Sequence, residues 1–265
     1  MRGIGLIFNI YVANKVGSEA IGVFSLLMSV YSFAITVATS GIGIACTCIV
    51  SEEFARENYI NGLKAVKTSI LFALLLGITS SFLIILFAPV ISSAWLKHAV
   101  SEIPIYLISL GLPLISVSSV IGGYFSSVEK PYKSAISQIL ETSVKIIATV
   151  FLLYLNPSKD VESICISLIL ADVISEIFSF SLNIIFYLFD RKKYISKRSL
   201  PIQMKKKIFS IAFPISITSC IRSGLSSLKQ FLIPIRLELS GISYSLAVSN
   251  YGLISRNGYA SYHVC

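Results

Sequence analysis

Long runs of apolar residues alternate with short charged segments along this chain. A helix needs about 20 apolar residues to cross the roughly 30 Å hydrocarbon core of a membrane, and six runs reach that length. A shorter run, residues 3–13, predicts an incomplete first helix. The six full-length runs are residues 23–50, 68–96, 104–127, 134–155, 163–189 and 208–235.

Composition indicates which solvent surrounds these helices. Hydrophobic residues make up 55% of the 265 residues and charged residues only 13%, with a mean hydropathy of +0.82, whereas soluble domains carry about 25% charged residues. In lipid, a helix satisfies its own backbone hydrogen bonds and an open strand does not. The sequence therefore predicts an all-α, polytopic membrane protein.

One basic stretch, residues 190–207, divides the predicted helices. It holds eight of the 22 lysines and arginines and only one acid. We interpret it as a loop between two bundles. Residues 1–189 are then a six-helix transmembrane lobe with an incomplete first helix, and residues 208–265 hold the first helix of a second lobe and an aberrant tail. Because strongly apolar helices flank the stretch, we expect no nucleic-acid partner.

The distribution of positive charge predicts the orientation. Short loops rich in Lys and Arg stay on the cytoplasmic side of a membrane. With residues 190–207 inside, the inside loops carry thirteen Lys and Arg and the outside loops carry three. We therefore expect a multi-pass plasma-membrane protein whose N-terminus and 190–207 loop are cytoplasmic.

Polar residues recur at helical spacing inside four of the apolar runs. Steps of three and four place such residues on one face of a helix, and ionisable groups within a membrane normally face a bundle interior or water. The pattern predicts a hydrated cavity, while interhelical hydrogen bonding is the favoured interpretation for the Ser/Thr stripe. The stripes are Gln138, Glu141, Lys145 and Thr149; Asp172, Glu176, Ser179 and Asn183; Ser219, Arg222, Ser226 and Lys229; and Ser25, Ser29, Ser32, Thr36 and Thr39.

Like charges close together on one helix repel unless one is neutralised, paired or hydrated. Asp172 and Glu176 are thus candidates for binding a coupling proton or cation. Arg222 and Lys229 are candidates for binding an anionic headgroup. We expect Gln138, Glu141, Lys145 and Asn183 to line the cavity, with Glu141 and Lys145 able to pair as neighbours on one helix.

The sequence gives little indication of a catalytic site or of a bound cofactor. The five cysteines are odd in number, four of them lie inside apolar runs, and the two histidines lie far apart. The Cys46 and Cys48 thiols project from opposite sides of a helix, which disfavours a shared metal. With no nucleophile motif or phosphate-binding loop, we expect no enzyme, no metal and no cofactor.

Several short motifs occur in an order and spacing that together are fairly specific. They are GSEAIG at residues 17–22, SGIG at 40–43 leading to SEE at 51–53, GGYF at 122–125 with Pro131, Gln138 and Glu141, and AFP at 212–214 with IPIRL at 233–237, SG at 240–241, Ala247 and YG at 251–252.

On these motifs the chain resembles the oligosaccharide flippase branch of the multidrug/oligosaccharidyl-lipid/polysaccharide exporter superfamily, most closely its stage V sporulation protein B-like group. The resemblance implies two six-helix lobes around a central cavity that opens alternately to each side. It also implies transport of a lipid-linked saccharide, such as a polysaccharide or peptidoglycan precursor, driven by an ion or potential gradient. Membrane lipid and that saccharide lipid would be the partners. Arg2 and Arg222 would receive the pyrophosphate.

Three alternatives remain open. A cation-coupled drug antiporter of the same superfamily would use Asp172 and Glu176 for coupling. A membrane-embedded glycosyltransferase would need a catalytic acid in a large loop, and the loops here are short and basic. The family's first helix begins earlier, and the polar residues 254–265 replace an expected apolar helix, so we expect a truncated N-terminal half or a nonfunctional remnant.

Overall fold

The structure is a computed structural model of a bundle of long helices. It describes residues 12, 15–39, 41–95, 100–156, 160–194, 204–241, 243–244 and 246–252. The predicted incomplete first helix, residues 3–13, lies outside the described residues except for Val12. In chain order the helices are α1 Ser18–Thr39, α2 Ile42–Ala55, α3 Tyr59–Val90, α4 Ile103–Ser127, α5 Pro131–Leu155, α6 Val161–Arg191 and α7 Met204–Leu239.

Six described segments are long and apolar enough to cross a membrane. They match the predicted runs in number and order, so the all-α, polytopic membrane fold is confirmed. The segments are Ser18–Ala55, Tyr59–Ser93, Ile103–Ser127, Pro131–Leu155, Val161–Tyr194 and Lys206–Leu239.

The boundaries of the early helices differ from the prediction. The first full-length run was predicted to begin at residue 23, but α1 begins at Ser18. The span predicted as continuous from 23 to 50 is divided at Gly41, whose φ of 76° lies in the left-handed region that glycine adopts without steric cost. Residues 51–67, which lie between two predicted runs, are helical except for a short turn between Ala55 and Tyr59.

α4 lies at the centre of the bundle, in contact with α1, α2, α3 and α6. Small residues permit its close approach to α2: a Cβ on Gly123 would collide with the carbonyl oxygen of Gly43. At the same crossing, the hydroxyl of Thr47 donates a 3.1 Å hydrogen bond to the Gly123 carbonyl. Such small-residue seams join helices where lipid gives no hydrophobic drive for association.

The basic stretch begins at a buried carboxylate. Asp190, the last acid of α6, accepts hydrogen bonds from Lys133 at 2.7 Å, Lys130 at 2.9 Å and the Tyr124 hydroxyl at 3.0 Å. Burial opposes the charge on Lys130, but hydrogen bonds to Asp190 and Tyr194 outweigh it and raise the Lys130 pKa. The α4–α5 turn is thereby joined to the end of α6.

The other end of the basic stretch is also anchored. Lys207, in the first turns of α7, donates a 2.7 Å hydrogen bond to Glu52 of α2. The predicted loop 190–207 is therefore helical at both described ends: Asp190 and Arg191 belong to α6, a 3₁₀ turn follows at Lys192–Tyr194, and α7 begins at Met204. Residues 195–203 lie outside the described part of the chain.

Candidate functional site: a polar cavity between four helices

A half-open cavity of about 550 Å³ lies between α1, α4, α5 and α6. We call it the polar cavity, because hydroxyl, amide and charged side chains line it inside an otherwise apolar bundle. Its polar lining residues are Tyr31, Ser118, Ser119, Ser126, Ser134, Gln138, Glu141, Lys145, Asp172, Ser175, Glu176, Ser179 and Asn183.

One wall of the polar cavity is the face of α5 that carries Gln138, Glu141 and Lys145. Their spacing of three and four residues stacks them along one side of the helix. Thr149, the next member of the stripe, is buried and is not among the lining residues. The rest of this helix is largely exposed and apolar, as a lipid-facing surface requires.

The opposite wall is formed by α6. Asp172, Glu176, Ser179 and Asn183 line it over three helical turns. Asp172 and Asn183 are each only 6% exposed, and Asn183 Oδ1 has no hydrogen-bond partner among the described residues. Buried polar atoms in native structures normally have a partner, so the cavity offers unused hydrogen-bonding capacity.

An ion pair bridges the two walls. Lys145 Nζ of α5 lies 2.5 Å from Asp172 Oδ1 of α6. The sequence allowed Lys145 to pair with Glu141 on its own helix, but the ammonium reaches across to α6 instead. This pairing compensates the Asp172 charge, which would otherwise be costly at such depth in a membrane protein.

Two further helices, α1 and α4, contact the Glu176 carboxyl. Its Oε1 accepts a 2.6 Å hydrogen bond from the Tyr31 hydroxyl of α1, while its Oε2 is buried with no hydrogen-bond partner in the described part of the chain. α4 approaches through Gly111, where an added Cβ would collide with the Glu176 carboxylate and lie 2.5 Å from the Tyr31 hydroxyl oxygen. Glycine at this position lets the carboxyl lie against the α4 backbone.

The α7 stripe does not reach this site. Arg222 and Lys229 are exposed and are not among the lining residues of the polar cavity. Positions beside members of the stripe join α7 to α1 instead. Ser223 accepts a 3.0 Å hydrogen bond from Thr36, and Ser227 donates one of 2.9 Å to the Ser29 carbonyl. The Ser/Thr stripe of α1 thus contributes to interhelical hydrogen bonding. Arg2 lies outside the described residues.

A second, open space of about 410 Å³ lies where α7 meets α1 and α2. We call it the hydroxyl groove. Ser119 of α4 lines both this groove and the polar cavity, so the two spaces are neighbours. The groove is lined by Thr36, Thr39, Gly41, Gly43, Ile44, Thr47, Ser119, Gly123 and Ser219.

The sequence patterns do not predict the contributions of Tyr31 on α1 and of α4 to the polar cavity. A single tyrosine in an apolar run is equally typical of an interfacial or packing residue, so Tyr31 carries no distinct signal. On α4, the signal was present: Ser118, Gly122 and Ser126 follow at steps of four and all line the cavity. No group of three or more His, Cys, Asp or Glu side chains that could hold a metal ion is found in the part of the chain that the structure describes.

A protein-family model described as Polysaccharide biosynthesis protein matches residues 1–254, nearly the whole chain. The chain belongs to the polysaccharide biosynthesis protein family. The resemblance noted from the motifs is thereby confirmed, and the multi-pass arrangement of apolar helices agrees with it.

Two curated relatives add detail to this membership. Over 263 residues the chain is 26% identical to Stage V sporulation protein B of Bacillus subtilis (strain 168), covering 95% of this chain and 49% of that protein. Over 156 residues it is 25% identical to Lipid II flippase MurJ of the same organism, covering 55% of this chain and 28% of that protein. This member of the polysaccharide biosynthesis protein family thus spans about half the length of the first relative and less of the second.

Solved structures share the fold of this polysaccharide biosynthesis protein. An inward-facing and an outward-facing conformation of a multidrug resistance MATE family transporter of the MOP superfamily superpose with TM-scores of 0.70 and 0.65. The identities are 14% and 16%, and the matches cover 97% of this chain and 57% and 60% of those chains. At such identity the likeness establishes the fold alone.

Proposed function

We propose that this chain forms part of a transporter that moves a lipid-linked saccharide, a precursor of polysaccharide or peptidoglycan, across the plasma membrane. The observation that carries the proposal is the polar cavity, a pocket of charged and hydroxyl groups inside an apolar bundle. Membership in a family named for polysaccharide biosynthesis, and similarity to a protein named Lipid II flippase, support the substrate class. The lipid tail would stay in the membrane while the headgroup crosses through a hydrated path.

We assign the headgroup to the α7 side of the bundle. Arg222 lies one helical turn beyond Ser219, which lines the hydroxyl groove. Guanidinium and ammonium groups bind phosphate oxygens well, and hydroxyls can hydrogen-bond both phosphate and sugar. Arg222 and Lys229, together with Arg2, are therefore our proposed headgroup-binding residues.

We assign ion coupling to the polar cavity. Asp172 and Glu176 would hold the coupling proton or cation, with Gln138, Glu141, Lys145 and Asn183 lining the water-filled space around them. Because Ser119 lines both spaces, a change in the charge of the polar cavity would be felt at the hydroxyl groove. Ion binding in the polar cavity would therefore affect headgroup binding in the adjacent hydroxyl groove.

The orientation and the domain division complete the proposal. Residues 190–207 would be a cytoplasmic connection between two lobes, with the N-terminus on the same side. Residues 1–189 would form the first lobe, and residues 208–265 the beginning of the second. The excess of Lys and Arg in the segments assigned to the inside supports this arrangement.

A second candidate function is a cation-coupled drug antiporter. The observation that favours it is the shared fold with multidrug resistance MATE family transporters. In that case Asp172 and Glu176 would couple cation entry to drug export. Resistance of cells to cationic drugs, together with drug-dependent proton flux in vesicles, would support this alternative over saccharide transport.

The direct test is translocation of a fluorescent lipid-linked saccharide by the chain reconstituted in vesicles, read by a reagent that quenches only the outer leaflet. Wild-type chain should increase the quenched fraction above that of protein-free vesicles. Arg222→Gln should remove most of the increase, while Arg236→Gln, the same change at another exposed arginine of α7, should keep it. No increase with wild-type chain would overturn the proposed function, and full activity of Arg222→Gln would overturn the role of Arg222.

A further inference from the structure

The two carboxyl groups at the centre of the polar cavity are in different environments. Asp172 is paired with Lys145 across the α5–α6 interface at 2.5 Å. Glu176, one turn along α6, has a single described hydrogen bond, from the Tyr31 hydroxyl, and leaves Oε2 buried and unpartnered in the described structure. Asp172 Oδ2 is buried without a hydrogen-bond partner there as well, so the difference between the two carboxyls is the ammonium beside Asp172 and the hydroxyl beside Glu176.

The Lys145 ammonium occupies the place that a mobile cation would need. A Na⁺ ion on either oxygen of the Asp172 carboxylate would lie close to the Lys145 ammonium, and two cations that close repel strongly in a low-dielectric site. Lys145 cannot leave with a transported ion, because its backbone belongs to α5. It therefore neutralises Asp172 permanently while leaving Glu176 to respond to the solution.

Glu176 is suited to gaining and losing a proton. As an acid it would carry an O–H on Oε2, while Oε1 continues to accept the bond from Tyr31. The titratable groups facing this carboxyl are Tyr31 of α1, Glu141 and Lys145 of α5 and Asp172 of α6, whereas α4 presents the backbone at Gly111. A proton on Glu176 would remove one negative charge from a cavity that also holds Glu141 and the Lys145–Asp172 pair.

We infer that Lys145 is the built-in counter-cation of Asp172 and thereby makes the polar cavity selective for a proton, taken up at Glu176, over a metal cation. The step is a simple exchange: an O–H bond forms at Glu176 with a proton from cavity water and breaks when that proton returns to water. This inference deepens the ion-coupling part of the proposed function and rests on it. It names the coupling ion and the residue that determines the choice.

Salt-dependent melting of the purified chain in detergent tests the role of Lys145. Binding to the folded state raises its stability, so we compare melting temperatures in equal concentrations of NaCl and choline chloride. Wild type and Lys145→Arg should melt at the same temperature in both salts. Lys145→Gln should melt several degrees higher in NaCl, because its Asp172 is then open to Na⁺. A melting temperature of wild type that is higher in NaCl than in choline chloride would overturn the inference. A folded Lys145→Gln variant that melts at the same temperature in both salts would overturn it as well.

Infrared difference spectroscopy on the chain tests the proton site without any Lys145 variant, so it can still overturn the inference if Lys145→Gln does not fold. The acid-minus-alkaline spectrum should contain the C=O band of a protonated buried carboxyl. Glu176→Gln should lose this band and Glu141→Gln should keep it. Absence of the band in wild type, or its survival in Glu176→Gln, would overturn the inference. Neither measurement uses the saccharide lipid, so failed translocation would count against the proposed function alone.

Discussion

The hydroxyl of Tyr31 donates a 2.6 Å hydrogen bond to Glu176, a residue 145 positions further along the chain. The bond joins α1 to α6 across the polar cavity, and Tyr31 itself is buried. It is the only hydrogen bond that the described structure gives the Glu176 carboxyl. In the described structure, the Glu176 carboxyl therefore depends on one hydroxyl for its hydrogen bonding.

Tyr31→Phe removes that donor without changing the ring. Leaving a buried acceptor unsatisfied costs about 1–3 kcal/mol, so we expect a lower melting temperature of the purified chain. Tyr106→Phe is a matched control, because Tyr106 donates to Glu102 at the exposed start of α4, where water replaces a lost donor. Equal melting of Tyr31→Phe and wild type would show that the buried bond contributes nothing.

Gly111→Ala tests the close approach of α4 to Glu176. The new methyl group would overlap the Glu176 carboxylate and approach the Tyr31 hydroxyl, and overpacking of this kind costs about 1–3 kcal/mol. Gly122→Ala on the same helix meets only Ser134 Oγ, at 3.4 Å, and should be tolerated. We expect thermal melting to separate the two variants. If both melted like wild type, the tight contact at Gly111 would be refuted.

Asp190→Ala tests the buried anchor at the end of α6. Removing the carboxylate leaves Lys130 and Lys133 without their shared partner, and breaking a buried pair from one side costs about 3 kcal/mol. Arg56→Ala breaks an exposed pair with Glu52 on α2 and should leave the melting temperature almost unchanged. A larger effect of Arg56→Ala than of Asp190→Ala would contradict the anchoring role.

Two single-cysteine variants, made in a chain whose native cysteines are replaced by alanine, test the orientation. Lys193 and Asp160 are both exposed, and they lie at opposite ends of α6. In intact cells a membrane-impermeant maleimide should label Asp160→Cys and spare Lys193→Cys until the membrane is permeabilised. The reverse labelling would invert the proposed topology.

Periodicity was enough to predict which faces of α5 and α6 carry the polar side chains. Lys145 and Asp172 both lie within helical stripes that the sequence alone defines, since a step of three or four residues fixes the face of a helix. Their pairing could not be predicted, because periodicity does not say which neighbouring helix a face meets. The sequence allowed Glu141 as the partner of Lys145 with equal ease.

Periodicity also fails to tell which residues of α7 contact its neighbours. Arg222 and Lys229 define a polar face, yet Ser223 and Ser227, each beside a stripe member, make the contacts with α1.

The helix break at Gly41 could not be predicted for another reason. Gly41 lies within a long, mainly apolar run, and a positive φ leaves no trace in hydropathy.

We expect water to fill the polar cavity while lipid surrounds the outer face of α5. Gln138 lines the cavity, and Ile139, beside it on α5, is 47% exposed on the bundle surface. A charged, water-soluble thiol reagent reacts with thiolate, which requires hydration. Applied to the cysteine-free chain in vesicles, it should modify Gln138→Cys rapidly and leave Ile139→Cys largely unmodified. Equal rates, or faster modification of Ile139→Cys, would contradict a hydrated cavity at this site.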